Sequence, residues 1–179
     1  MTLLLALFFP MIAHAQTPLD RELIAAAERG DLPSAKSLIA RGANVNAKDE
    51  KQDSAFLIAS ANGHTEVVKL TLAAGADLKS TNRYGGTGLI PACHHGHLET
   101  VKLLLSTAID VNHVNRLGWT ALLEAVILGD GGPTHTEIVR LLLARGADAR
   151  IADREGVSAL EHARKRGYTR MSELLAKAG

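Results

Sequence analysis

The sequence predicts an all-α solenoid in which about five helix-turn-helix units are stacked and joined by short hairpin-like turns. One observation is a set of glycines spaced 33 residues apart, at Gly30, Gly63, Gly96 and Gly129. The same period relates four hydroxyl residues, except that their last step is 38 residues: Ser54, Thr87, Thr120 and Ser158. Repetition with a period of roughly 20 to 50 residues is typical of solenoids, in which each unit buries its apolar face on its neighbours.

Alignment on these positions divides the chain into units at 20–49, 50–82, 83–115, 116–153 and 154–179. Because the third set, Gly42, Gly75, Ala108, Gly146 and Gly179, shows the same long step, we expect the five extra residues to lie between Gly129 and Glu137. Residues 16–179 contain no linker or low-complexity tract, so we expect one repeat domain.

Each unit contains two short apolar runs with helical spacing, such as 55–62 and 65–74. Side chains three and four residues apart share one helical face, and we expect the core between units three and four to contain Leu103, Leu104, Leu141 and Leu142. The hydroxyl residue before the first run of units two to five can cap free backbone N–H groups. The glycine after most second runs can end the helix in a left-handed conformation.

Unit three departs from this pattern at both helices. Pro91 lies about four residues inside its first run and removes a backbone donor. Ala108 replaces the terminal glycine, at a cost of about 1 kcal/mol if that residue is left-handed. Thr71, in unit two, stands where other units have a leucine. We expect a weaker centre to the array.

These motifs resemble ankyrin repeats, whose pattern runs D-x-x-G-x-T-P-L-H-x-A, then G-H-x-E-V-V-K-L-L-L, then G-A-D. The chain reads NGHTEVVKL at 62–70, HGHLETVKLLL at 95–105 and DREGVSAL at 153–160. The resemblance covers nearly all of 20–179. It implies a non-catalytic module for protein–protein recognition.

The resemblance also implies where a partner would bind, because ankyrin proteins use variable positions of the turn tips and first helices. The implied residues in units three and four are Arg83, Tyr84, His94, His95, Arg116, Leu117, Trp119, Ile127 and Leu128. The equivalent positions of unit two are Glu50, Lys51, Asp53, Ala61 and Asn62. Tyr, Trp and Arg are enriched in interface hot spots, so we expect Trp119 to lie at the centre of the interface. The alternative is that Trp119 and Leu117 pack on adjacent turns.

Composition narrows the kinds of partner. The formal net charge is +1, which argues against nucleic acid as the main partner. Arg83, Arg116 and Arg154 form a column along the tips that is either a solvated ridge or a guide for an acidic partner. We expect no cofactor and a monomer in the unbound state.

The first fifteen residues have a different character from the repeats. An apolar run at 3–12 precedes Ala13-His14-Ala15, a small-x-small cleavage pattern, although no basic residue comes before the run. This arrangement predicts a secretory signal peptide at 1–15, too short to span a bilayer. We therefore expect export to the periplasm without membrane insertion. A cytosolic or host-directed ankyrin adaptor is the alternative.

One cluster raises the possibility of metal or redox chemistry. Cys93, His94, His95 and His97 lie at the end of the first helix of unit three, and such ligands suit zinc or copper. However, His97 has an equivalent in His64, and the spacing matches no known ligand pattern. We expect no metal site and keep a metal- or redox-responsive protein as an alternative.

Catalytic motifs are not evident. Glu124 and Glu161 could suggest paired carboxylates, but they belong to different repeats, and acid–base catalysis requires such groups to converge. We therefore expect a protein without catalytic activity. The small exported ankyrin proteins that this chain resembles imply a role in inhibiting, shielding against or assisting a partner enzyme.

Overall fold

The computed structural model describes residues 16–179, so the expected signal peptide at 1–15 lies outside the described residues. In the described part the chain forms ten α-helices and no β-strand, which confirms the all-α prediction. The helices are α1 (Pro18–Arg29), α2 (Leu32–Ala40), α3 (Ala55–Ala61), α4 (Thr65–Ala73), α5 (Leu89–His94), α6 (Leu98–Leu105), α7 (Ala121–Ile127), α8 (Pro133–Ala144), α9 (Ala159–Lys165) and α10 (Thr169–Ala178).

The helices stack in two rows, because the first helix of each unit packs on the first helix of the next and the second helix on the second. The core lies between the rows, where Leu104 and Leu142 are fully buried. Leu103 and Leu141 are only partly buried and pack against the rim of this core. The expected four-leucine core therefore consists of two central and two peripheral side chains.

Most first helices begin with the expected hydroxyl cap. Ser54 Oγ accepts a hydrogen bond from Leu57 N at 3.3 Å, and Thr120 Oγ1 accepts one from Leu123 N at 3.2 Å. Ser158 forms a reciprocal capping box with Glu161. These caps satisfy donors that have no partner within the helix.

Unit three lacks this cap, and Pro91 is the reason. In the other units the amide four residues after the hydroxyl donates to its carbonyl, as Ile58 N does to Ser54 O at 2.9 Å. Pro91 has no N–H, so Ile90 N donates to Thr87 O instead, at 3.2 Å, and is not available to the Thr87 hydroxyl. Helix α5 consequently begins only at Leu89, and Thr87 Oγ1 is buried without a hydrogen bond.

Helix α6 ends without a left-handed glycine, because Ala108 occupies that position. Gly42, Gly75 and Gly146 have positive φ, as expected, whereas Ala108 does not. The amide after Gly42 donates back to Leu38 O at 3.0 Å, but the amide of Ile109 donates to Thr107 Oγ1 at 3.2 Å. A hydroxyl thus replaces the left-handed turn, and the expected strain at Ala108 is not incurred.

Because of the insertion in unit four, the residue equivalent to Gly30, Gly63 and Gly96 is Gly131 and not Gly129. Gly129 does not have positive φ, whereas Gly131 has φ of 71°, like Gly96 at 71°, and lies two residues before the next helix. The assignment of Gly129 to the glycine set was therefore wrong, although the extra residues do lie between Gly129 and Glu137. Two of them precede Gly131, and the other three lengthen α8 to 12 residues, compared with 9 in α4.

A column of ring side chains ties each unit to the one before it. Each ring donates a hydrogen bond to a carbonyl at or just after the end of the preceding first helix. The pairs are His64 Nε2 to Glu28 O at 3.1 Å, His97 Nε2 to Ala61 O at 3.0 Å, His135 Nε2 to His94 O at 2.9 Å and Tyr168 Oη to Gly129 O at 3.0 Å. These bonds satisfy carbonyls that helix ends leave free.

Candidate protein-binding surface

The tips of units two to four and the first helices of units one to four line a groove with a volume of about 520 Å³, which we call the concave groove. Six of the nine residues implied for partner binding line it: Arg83, Tyr84, His94, His95, Leu117 and Leu128. From unit two, Lys51, Asp53, Ala61 and Asn62 line it as well. Most of the implied residues therefore lie on one concave surface.

Large apolar side chains are exposed in this groove. Tyr84, Leu117 and Leu128 are 52%, 45% and 42% exposed, respectively. The guanidinium of Arg83 lies 5.1 Å from the centre of the Tyr84 ring, within cation–π range. An exposed apolar cluster with a polar rim is typical of a binding site. Val114 is equally exposed, at 46%, but does not line the groove.

Trp119 and Ile127 are placed differently from the expectation. Trp119 is only partly exposed and packs against the hydrophobic core, and it does not line the groove. Ile127, at 9% exposed, belongs to the core itself, so its inclusion among exposed interface residues was wrong. This placement favours a packing role for Trp119, whereas Leu117, which the alternative reading paired with it, is exposed.

The tips are held rigid by one recurring device. In unit four, Asn115 Oδ1 accepts hydrogen bonds from Leu117 N at 2.9 Å and Trp119 N at 3.0 Å. The same pattern occurs around the tip residue of the other units: Asp49, Asn82 and Asp153. Side chains of Asn and Asp mimic a backbone turn in this way, so Leu117 is presented on a fixed loop.

The arginine column links neighbouring tips. Arg116 Nη1 donates to Arg83 O at 3.0 Å, and Arg154 donates in turn to Arg116 O. Arg83 itself forms an ion pair with Asp53 at 2.6 Å. These guanidinium groups are therefore engaged within the protein, which weakens the idea that the column guides an acidic partner.

The cysteine–histidine cluster does not form a ligand set. Cys93 is fully buried, and burial raises the pKa of its thiol well above the ordinary value. The rings of His94 and His95 stack at 4.2 Å, and His97 is used in the column of ring side chains. Within residues 16–179 no group of three or more His, Cys, Asp or Glu side chains is arranged to hold a metal ion. The geometry gives the metal- or redox-responsive alternative no support.

Glu124 is the groove residue that the sequence reasoning undervalued, because it was considered only as half of a catalytic pair. It lies on α7, its side chain is 8% exposed, and its Oε1 accepts a hydrogen bond from Asn115 Nδ2 at 2.9 Å. Burial raises the pKa of this carboxyl to about 7. The repeat alignment contained a signal for this residue, because none of the equivalent residues in units two, three and five is a carboxylate. They are Ile58, Pro91 and His162.

The groove is acidic although the whole chain is not. Its carboxylates are Glu28, Asp49, Asp53 and Glu124, and its formally basic side chains are Lys51 and Arg83. Burial is the main cause that lowers the pKa values of His94 and His95, and each is lowered further by a neighbouring histidine. Both rings are consequently neutral near pH 7 and add no positive charge there.

The family model that describes ankyrin repeats in three copies matches residues 23–115 and 109–179. The chain belongs to the ankyrin-repeat family. It is similar to the crystal structure of an ankyrin repeat domain from Acinetobacter baumannii AYE, with 49% identity and a TM-score of 0.87 over 92% of this chain and 88% of the other. It is also similar to the ankyrin repeat protein EF0377, with 43% identity and a TM-score of 0.84 over 87% of this chain and 79% of that one.

A curated relative matches a shorter segment. The ankyrin repeat protein YahD of Escherichia coli strain K12 is 45% identical over 56 residues, which is 31% of this chain and 28% of YahD. The match therefore spans less than a third of that relative. Ankyrin repeats indicate a protein–protein interaction module, and the family is generally a non-catalytic binding scaffold. None of the helices among residues 16–179 has the length and apolar character needed to cross a membrane.

Proposed function

We propose that this ankyrin protein binds a partner protein in its concave groove, without catalysing a reaction itself. The observation that carries this proposal is the exposed apolar set of Tyr84 and Leu117, on the tips, and Leu128, at the end of α7, which together line one concave surface. Aromatic and aliphatic anchors at the centre of a rimmed pocket supply most of the affinity in protein interfaces. The groove residues are thus the proposed binding site, with Arg116 and Trp119 supporting the tips.

We propose further that the chain acts in the periplasm after removal of residues 1–15, as a monomer when unbound. The support is the apolar run before Ala13-His14-Ala15 and the single, buried Cys93, which leaves no thiol to mispair in an oxidising compartment. The proposed partner is an enzyme of that compartment, which the ankyrin protein inhibits, shields or assists. Mass spectrometry of protein from a bacterial host should find Gln16 as the first residue; full-length chain confined to the cytoplasm would support the adaptor alternative.

Binding through the groove is tested with a matched pair of substitutions. Leu128→Asp places a charge among the groove anchors, and we expect at least about a thirtyfold loss of affinity for the partner recovered from the periplasmic fraction. Val114→Asp makes the same change at a side chain of similar exposure outside the groove, so it should leave binding unchanged. Equal effects of the two substitutions, with both proteins folded, would refute the groove as the binding site.

A further inference from the structure

Glu124 is a buried carboxylate that the fold does not require. The equivalent position is Ile58 in unit two and Pro91 in unit three, and both units form the same helix pair. Asn82 Oδ1 accepts two backbone hydrogen bonds in its tip, as Asn115 Oδ1 does. Unit three nevertheless has Pro91, and not a carboxylate, at the position of Glu124. In unit five, however, His162 at this position lies with Nε2 2.6 Å from Oδ2 of the tip residue Asp153, a link like that between Glu124 Oε1 and Asn115 Nδ2. The link to the tip therefore accounts for one oxygen of Glu124 and not for the other.

The two carboxylate oxygens of Glu124 differ in their surroundings. Oε1 is fixed by the amide of Asn115. Oε2 accepts no hydrogen bond from the described residues. The ring nitrogen Nδ1 of His94 lies 3.7 Å from it, which is beyond hydrogen-bond distance. Glu124 lines the concave groove, so this oxygen is positioned to meet a donor brought by a ligand. The Glu124 side chain is only 8% exposed, so its carboxylate is poorly hydrated, and carboxyl groups held in such surroundings within a groove are candidates for function.

The surroundings of Oε2 match the chemistry of a long basic side chain. Leu128 lies one helical turn beyond Glu124, since its amide donates to Glu124 O at 2.9 Å. Leu117 lines the same groove from the tip. Lysine and arginine combine an aliphatic stem, which packs on apolar surface, with a terminal cation that donates hydrogen bonds. The neighbouring His94 is neutral near pH 7 and does not already supply that cation.

We propose that Glu124 forms a subsite for a lysine or arginine side chain of the partner protein. The cation donates to Oε2 of Glu124, while the aliphatic stem packs on Leu117 and Leu128. The excess of carboxylates in the groove favours a basic segment over an acidic one. This inference rests on the proposed function of the groove and specifies the chemistry of what it binds.

The test uses a random peptide library displayed on phage and selected on the protein comprising residues 16–179. We expect the selected peptides to share a lysine or arginine at one position. Glu124→Gln keeps an oxygen for Asn115 but removes the charge, so it should weaken a selected peptide by about 30-fold or more. The same peptide with its basic residue replaced by norleucine should bind wild type and Glu124→Gln equally. Glu99→Gln, which changes an exposed carboxylate on α6, serves as the charge control.

The outcomes separate this inference from the proposed function. Peptides that lose binding on Leu128→Asp but have no basic residue, or that bind Glu124→Gln normally, would overturn the subsite and leave the groove intact. Failure to select any peptide that depends on Leu128 would overturn both. Thermal unfolding of Glu124→Gln, which we expect to be cooperative, establishes that lost binding reflects the charge rather than the fold.

Discussion

At the scale of single residues, burial raises the pKa values of two carboxyl groups, Asp53 and Glu124, so that their ionisation opposes folding, and the larger shift is that of Glu124. Glu124 is buried beside a neutral amide, and no arginine or lysine in the described chain forms an ion pair with it. Its pKa of about 7 lies above the ordinary value of 4.5, so the folded state binds a proton more tightly than the unfolded state between these values. The stability that this group contributes is fully present below pH 4.5 and is lost as the pH rises through 7.

The pH dependence of unfolding measures this cost. Glu124→Gln should unfold with nearly the same free energy as wild type near pH 4.5, and the substituted protein should become the more stable one by about 2 kcal/mol at pH 8. His94 and Cys93 on α5 are the nearby titratable groups, and both are unchanged in the two proteins. Urea titrations across this pH range provide the measurement. A constant difference between the two proteins would show that the carboxyl titrates normally.

At the scale of helices and turns, side-chain hydrogen bonds connect each unit to the one before it. The ring side chains His64, His97, His135 and Tyr168 all donate to carbonyls at the ends of preceding first helices. In unit four the donor comes from inside the lengthened α8 rather than from just before the helix. The insertion is therefore accommodated without losing the contact between units.

Tyr168 permits a clean test of this column, because only its hydroxyl makes the bond. Tyr168→Phe keeps the ring but removes the donor to Gly129 O, so we expect the free energy of unfolding to fall by about 1 kcal/mol. Tyr84→Phe, in the exposed groove, should have little effect on stability. Urea unfolding of both variants and of wild type measures these free energies. If Tyr168→Phe unfolds with the same free energy as wild type, the bond to Gly129 O does not stabilise the fold.

The sequence was sufficient for the helices, because apolar spacing and hydroxyl caps are local signals. The resemblance to ankyrin repeats implied that Tyr84, Leu117 and Leu128 lie on the concave side, and in the structure they line the groove. Trp119 lies at a tip position whose side chain can turn to either side, and spacing does not determine which. Gly131 was not predicted as the glycine with positive φ, because the 33-residue spacing selected Gly129. The left-handed residue is the one that lies two positions before the following helix, and in unit four that residue is Gly131.

At the scale of the whole molecule, the array is stabilised by contacts within each unit and between neighbouring units. Each helix packs on its partner and on the adjacent units. In such an array the free energy of folding is a sum of contributions from units and from their interfaces. A substitution that weakens one interface therefore uncouples the units on its two sides. Unit three occupies the middle and has the shortest first helix, without a side-chain cap, which makes its interfaces sensitive positions.

Leu104 is the side chain through which this sensitivity is best tested. It is fully buried on α6, where it faces α8, and Leu104→Ala should lower the free energy of unfolding by about 2–5 kcal/mol through the cavity that it leaves. Domains of ordinary stability have only about 5–15 kcal/mol in total, so this loss is a large share of it. Leu103→Ala removes the same atoms from the partly buried neighbour and should cost clearly less. Equal midpoints for these two variants in urea would contradict the helical register that places Leu104, and not Leu103, in the core.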